Sequence, residues 1–248
     1  MYRIAVVTPY YKESTEILRQ CHDSVRSQTY PGDHFMIADG FPNAEAQTWT
    51  VKHVALPCGH ADNGNTPRQI GSTLADAEGY DFIAYLDADN WFHPNHLQSL
   101  IAVYEETKAQ VCASFRTYHA WDGRQIHIVE ADEEKLAHID TSCFLIHRDA
   151  FPALSVWGKM PRRLSPICDR VFFAALKKER YKIASSRQRT VAFRSQYAFH
   201  YEAAGLPLPE SYKARDCLFP SFEYMRTKEG VDDCFHRLGF WPQTFITA

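Results

Sequence analysis

Phe82-Ile83-Ala84-Tyr85-Leu86-Asp87-Ala88-Asp89-Asn90 is the stretch on which the reading of this 248-residue chain turns. Five apolar residues in succession read as a strand buried on both faces, the habit of parallel sheets covered by helices. The run then ends abruptly in two aspartates and an asparagine. In an extended chain residues two apart point the same way, so Asp87 and Asp89 are expected to present both carboxylates to one side. Carboxylates so placed repel unless a cation lies between them. Hard oxygen donors suit Mg²⁺ or Mn²⁺, which take their remaining ligands from water and substrate phosphates.

The same punctuation recurs upstream. Ile4-Ala5-Val6-Val7 ends in Thr8-Pro9-Tyr10-Tyr11, and Phe35-Met36-Ile37-Ala38 ends in Asp39-Gly40. Val51 to Leu56 reads as a third strand. Between the first two, residues 14–28 place Ile17, Leu18, Cys21 and Val25 on one helical stripe. A second helix is expected from Thr66, with Thr66 as its cap, Pro67 at the first helical position, Gln69 completing a capping box and Gly79 as its stop. Its buried face is read as Ile70, Leu74 and Ala77. Pro94 opens a third helix with Leu97, Leu100, Ile101 and Tyr104 inward. Strand–helix alternation of this kind predicts right-handed βαβ units and a mostly parallel sheet, whose ligands gather where the strands end.

After residue 110 the pattern changes. Val111 to Tyr118 and Gln125 to Val129 flank Trp121-Asp122-Gly123-Arg124 and predict an antiparallel hairpin. Thr141 to Ile146 reads as a strand, Cys168 to Arg180 as a helix, and the region 181–194 as strand again. The last forty residues predict short helices that cover the core.

Lys+Arg 27 against Asp+Glu 30 leaves a net charge of −3, which argues against a general nucleic-acid or membrane-surface binder. Seven cysteines at irregular spacing with no CxxC predict free thiols in a reducing compartment, with Cys112 and Cys143 in the core. Twelve histidines invite a zinc reading, but no HExxH or Cys/His ligand spacing supports one. Residues 1–14 lack the layout of a signal peptide, and no window approaches the ~18 apolar residues of a membrane span. The expected location is the cytoplasm, including the inner face of the membrane.

Taken together, Val6-Val7-Thr8-Pro9-Tyr10, Ser24-Val25-Arg26-Ser27-Gln28-Thr29-Tyr30-Pro31, Ile37-Ala38-Asp39-Gly40 and Tyr85-Leu86-Asp87-Ala88-Asp89-Asn90, followed by Pro94 and Leu97, resemble the family 2 glycosyltransferases of GT-A fold. The resemblance covers roughly residues 3–200. It implies a Rossmann-like three-layer α/β/α sandwich with a mostly parallel central sheet and a small antiparallel element. One GT-A domain is expected over 1–205, with a nucleotide-sugar donor half at 1–110 and an acceptor half at 111–205, and a C-terminal cover at 206–248.

The resemblance also implies roles. Thr8, Pro9 and Tyr10 would meet the nucleotide base, and Asp39 would accept from the base N–H, which favours a UDP-sugar. Arg68 would face the nucleotide or pyrophosphate. Asp87 would contact ribose or metal, and Asp89 would bind Mn²⁺ or Mg²⁺ with His200 as a further ligand. Asp169 matches the acid that acts as general base in inverting members, although Cys168 stands where the family places the preceding acid. Alanine likewise replaces the first of two acids before Gly40, and Tyr11 stands where asparagine is common. The implied activity is inverting hexosyl transfer from a nucleotide-diphosphate sugar to a glycan, lipid-linked or other hydroxyl acceptor. Asp140-Thr141-Ser142 would line the acceptor side. Trp121 and Trp157 could stack on a sugar, with Trp157 favoured as core.

Rival readings fail on single features. A dinucleotide-binding dehydrogenase needs Gly-x-Gly-x-x-Gly after the first strand, where this chain has no glycine. A sugar nucleotidyltransferase would carry a Gly-rich, Arg-bearing loop there. A glycoside hydrolase sets its two carboxylates ~5–9.5 Å apart astride the bond, whereas Asp87 and Asp89 are too close in sequence. A retaining transferase and a non-catalytic sugar-nucleotide-binding module remain as alternatives.

Overall fold

The computed structural model describes residues 1–128 and 131–246. In chain order its elements are β1 Ile4–Tyr10, α1 Thr15–Arg26, β2 Asp33–Ala38, β3 Lys52–Ala55, α2 Asn65–Ala77, β4 Phe82–Tyr85, β5 Trp91–Phe92, α3 His96–Thr107, β6 Val111–His119, β7 Gln125–Ile126, α4 Ala131–Glu134, β8 Phe144–His147, α5 Val156–Lys159, α6 Cys168–Lys178, β9 Ile183–Arg194, α7 Ala198–Ala203, α8 Phe219–Arg226 and α9 Lys228–Leu238.

Among the described residues the strands form one sheet in the order β3-β2-β1-β4-β8-β6-β9-β5, with β7 beside β6. β1 runs parallel to β2 and β4, β2 to β3, and β6 to β9. β8 is antiparallel to both β4 and β6, and the short β5 and β7 are antiparallel to their neighbours. The expected mostly parallel sheet with a small antiparallel element is therefore present. Because β1, β2 and β4 run the same way, Tyr10, Asp39 and Asp87 all emerge at one edge.

Helices cover both faces, as the continuous apolar strands require. Consecutive residues of β1 point to opposite sides. A Cβ added to Gly71 of α2 would lie 2.5 Å from Val7 Cγ1, while one added to Gly32 would meet Leu97 of α3 at 3.0 Å and Val6 at 3.3 Å. Gly71 is thus the residue that lets α2 lie against β1. One large core joins the sheet to α2, α3 and α6. Trp157 belongs to it at 1% exposure, stacked on Phe172 at 4.3 Å with its indole N–H donated to Tyr85 Oη at 2.9 Å. Cys112 and Cys143 are also in that core.

The start of α2 departs from expectation. The N-cap is Gly64, in the left-handed region at φ 80°, and not Thr66. The carboxylate of Asp62, two residues upstream, accepts from Thr66 N at 2.9 Å and from Thr66 Oγ1 at 2.6 Å, doing the work of a cap from outside the helix. Only glycine takes that φ readily, so the chain enters the helix earlier than the Thr-Pro signature indicates. Gln69 closes no capping box; it donates to Thr73 Oγ1 and accepts from Gly158 N. The face turned to the sheet carries Arg68, Gly71, Ser72 and Ala75, with Ile70 and Leu74 half-buried and Ala77 exposed.

In the second half, the hairpin pairs Tyr118 with Ile126 and His119 with Gln125. Val129, expected to extend it, lies outside the described residues, as do Thr247 and Ala248 of the expected cover. The expected strand from Thr141 opens instead as a 3₁₀ turn, Thr141–Cys143, because the Asp140 carboxylate caps Ser142 N at 2.9 Å; the strand follows from Phe144. Tyr224, Met225, Cys234 and Phe240 of the tail are buried in the same core as the sheet. No helix among the described residues is long and apolar enough to cross a membrane.

Candidate active site

At the edge where β1, β2 and β4 end, a cleft of about 450 Å³ opens between the two halves of the sheet. Pro9, Tyr10, Asp39, Arg68, Asp87 and Asp89 line it from the first half, and His138, Asp140, Cys168, Asp169 and His200 from the second. Lys213 and Leu218 of the tail complete its rim. Most of the residues singled out from sequence meet here, from segments up to 191 positions apart (Pro9 to His200).

Thr8 is the exception. Its side chain is fully buried, with Oγ1 bonded to His34 Nε2 at 2.8 Å and near Cys21 Sγ at 3.8 Å, so it packs the sheet and does not reach the cleft. Tyr10 is also buried, its hydroxyl held by His53 Nε2 at 2.6 Å and by Asn43 N at 2.9 Å. The Asp39 carboxylate already has a partner: His60 gives its backbone N–H at 3.0 Å to Oδ2 and sets Nδ1 2.5 Å from Oδ1. His60 was not anticipated. It sits in the irregular Pro57-Cys58-Gly59-His60 stretch, and only the fold brings it across to β2.

Arg68 is 3% exposed and ion-pairs with Asp87 Oδ1, while its Nη1 donates to Asn63 O at 2.7 Å. Burial would weaken the guanidinium charge, but Asp87 beside it raises its pKa above the usual arginine value. Asp87 and Asp89 are not arranged by strand pleat. Asn90 N donates to Asp87 O at 2.9 Å, closing a turn over 87–90. Ser142 Oγ accepts from Asp87 N at 3.1 Å and from Asn90 Nδ2 at 3.2 Å, and Asn90 Oδ1 accepts from Arg194 N at 2.9 Å. The turn is thereby pinned to both halves of the sheet. Burial, reinforced by the like charges of Asp87 and Glu13, pushes the Asp89 carboxyl up to about 7.

These two carboxylates suit a hard divalent cation that takes its other ligands from a bound diphosphate. Burial and the neighbouring like charges together raise Asp89, and a cation held there would offset both. His200 lines the same cleft from the second half; among the described residues no three His, Cys, Asp or Glu side chains gather into a metal-binding group. The ring of His200 is 2% exposed, has Nδ1 2.7 Å from Ser195 Oγ, and packs on Phe199 and Tyr118.

Asp169 lies in the first turn of α6, where a helix N-terminus favours a negative charge. Its Oδ1 accepts from Arg170 N at 2.7 Å, and its Oδ2 is 2.5 Å from Nε2 of His138. Burial works against the carboxylate, but the charge and hydrogen bond of His138 outweigh it and hold Asp169 down at about 2. His138 was missed because it belongs to the segment after β7, which has no strong periodicity. Cys168, where the family has an acid, is buried, and its thiol is pushed up to about 12 despite the opposing charge of Arg68. The thiol is thereby held neutral at physiological pH. Asp140 is buried and paired with Arg116 Nη1 at 3.0 Å; burial raises its pKa against the pull of that arginine. Trp121, at 39% exposure, borders a neighbouring depression with Tyr11 and Glu13, whereas Trp157 is core.

Comparison with known proteins agrees with this geometry. The family described as "Glycosyl transferase family 2" matches residues 5–154, more than half of the chain. The succinoglycan biosynthesis protein ExoW of Rhizobium meliloti (strain 1021) is 29% identical over 147 residues, covering 54% of this chain and 44% of that protein. The chain thus corresponds to less than half the length of that relative. Crystal structures of S. aureus TarS 1–349 in complex with UDP and with UDP-GlcNAc superpose with TM-scores of 0.62 at 14% and 12% identity, over 94% of this chain and 72% and 73% of theirs. At such identities the likeness establishes the fold. The matched sequence over residues 5–154 establishes the rest: this chain belongs to the family 2 glycosyltransferases, on a GT-A fold.

Proposed function

We propose that the protein transfers a sugar from a nucleotide diphosphate, UDP favoured, to an acceptor hydroxyl with inversion, using Asp169 as general base. The observation that carries this is the single cleft in which Asp39, Arg68, Asp87 and Asp89 from one half face Asp169 from the other. Asp39, bonded to His60 and lining the cleft, is read as the acceptor for the N–H of a uracil ring. The UDP and UDP-GlcNAc complexes of TarS support the same nucleotide. A succinoglycan biosynthesis protein among the relatives supports a glycan acceptor.

In the reaction, the acceptor hydroxyl gives its proton to Asp169 as its oxygen forms the bond to the anomeric carbon. On the opposite side the carbon–oxygen bond to the diphosphate breaks, and the electron pair leaves with the nucleotide. Mn²⁺ or Mg²⁺ held by Asp87 and Asp89 would supply Lewis-acid neutralisation of the departing diphosphate. Arg68, buried and ion-paired with Asp87, holds that carboxylate in place. A positioned base contributes typically ~10²–10⁴-fold to such a step.

The test is nucleotide release from UDP-sugars with and without Mn²⁺, with the product anomer read by NMR. An inverted product, lost in Asp169→Asn, is the expected result. Retained configuration with Asp169→Asn fully active would establish a retaining transferase, and absence of turnover in wild type with intact donor binding would establish a binding module.

A further inference from the structure

The Asp169 carboxylate does not stand alone, and its partner is built into the fold. The imidazole of His138 is buried at 8% exposure, lines the cleft and has Nε2 2.5 Å from Asp169 Oδ2. The segment that delivers it is anchored by a buried acid. Glu133 of α4, 1% exposed, accepts from Arg116 N at 3.0 Å and from Arg116 Nε at 3.1 Å on β6, and from Arg189 Nη1 at 3.1 Å on β9. Glu134 adds a bond from Arg189 Nη2 at 3.0 Å, and His138 N donates back to Asp132 O at 3.3 Å. Asp140, two residues on, is tied to the same Arg116. An ion-paired cluster of this kind is costly to desolvate and holds its segment in one place.

We propose that His138 is the positioning residue for the base: its Nε2–H, donated to Oδ2, and the Arg170 N–H, donated to Oδ1, clamp the Asp169 carboxylate from both ends in its reactive orientation. This rests on the reading of Asp169 as general base. A carboxylate offers about four lone-pair sites, so two bonds leave each oxygen able to take the acceptor hydroxyl. With Asp169 ionised, Nε2 is the nitrogen that carries the proton. Fixing the carboxylate matters because a misplacement of ~1 Å at a reacting group costs on the order of 10²-fold in rate.

The experiment uses the full chain with UDP-glucose, UDP-galactose and UDP-GlcNAc, MnCl₂ and water as the acceptor. His138→Ala is expected to lower kcat by ~10–100-fold with donor KM unchanged within about twofold, and His138→Gln, whose amide can donate, to recover most of it. In an Asp169→Asn background His138→Ala should cost nothing further, since residues acting as a unit are not additive. An equal loss in both backgrounds, a loss in KM alone, or no recovery by glutamine overturns the proposal. Independently of turnover, ¹⁵N NMR of the imidazoles should show a slowly exchanging Nε2–H on His138 that disappears in Asp169→Ala, and its absence from wild type also overturns it. Full activity of Asp169→Asn would instead strike the base assignment, and is seen separately.

Discussion

Replacing Arg68 by methionine isolates the electrostatic foundation of the cleft. Methionine keeps an unbranched stem beside Trp157, whose ring lies 5.2 Å from the guanidinium carbon, so packing changes little. The charge that neutralises Asp87 is lost, and Asp87 is left beside Asp89. Removing one partner of a buried pair costs about 3–5 kcal/mol; because the Asp87 side chain is 29% exposed, water screens part of that, leaving about 2–3 kcal/mol. At about 2–4 °C per kcal/mol for a chain of this size, Tm should fall by ~5–10 °C. Asp87→Asn in the same chain should restore most of the loss, since position 87 then carries no charge that Arg68 had neutralised. Urea denaturation of wild type, both single variants and the double variant, without nucleotide or divalent cation, gives the coupling energy directly. A loss below about 0.5 kcal/mol for Arg68→Met, or strictly additive single effects, would refute the claim that Arg68 is held in place chiefly by Asp87.

Asp89, raised to about 7 in the fold, contributes stability only while protonated: that contribution is full below its unfolded value and lost as pH rises through about 7. Asp89→Asn should therefore melt higher than wild type at pH 8 in EDTA, with the difference vanishing by pH 4–5; a variant no more stable at pH 8 contradicts the raised carboxyl. Asp169 has the opposite sign, its stabilisation being present above the usual carboxylate pKa and lost as pH falls through about 2, so Asp169→Asn should flatten the acid limb of the stability profile. Gly71→Ala should destabilise by ~1–3 kcal/mol in urea titrations, because its Cβ would lie 2.5 Å from Val7 Cγ1; a gain, as helix propensity alone would give, would mean that α2 can move off the sheet. His60→Ala should weaken UDP binding in calorimetry while leaving Tm nearly unchanged, since the ring is 32% exposed and its contribution is to orient Asp39.

What the sequence by itself determined are the features encoded within a few residues. Apolar runs such as Ile4–Val7 and Phe82–Leu86 can be satisfied only between two helical layers, and the polar residues that end them mark the edge where ligands collect. Asp39, Asp87 and Asp89 were singled out for that reason, as residues that follow strands, whereas Arg68 and Asp169 were singled out by the resemblance to the family; all five line the one cleft. Trp157 and the core cysteines followed from hydrophobicity. Tertiary structure alone decided everything that depends on which distant segments meet. It turned Thr8 into the core, bonded His200 Nδ1 to Ser195, set Asp87 and Asp89 in a turn and not along a pleat, and moved the cap of α2 to Gly64. It also supplied His60 to Asp39 and His138 to Asp169, across 21 and 31 residues of chain. A histidine in a loop carries no local periodicity, so its partner is settled only when buried ion pairs such as Glu133 with Arg116 and Arg189 fix where the loop lies.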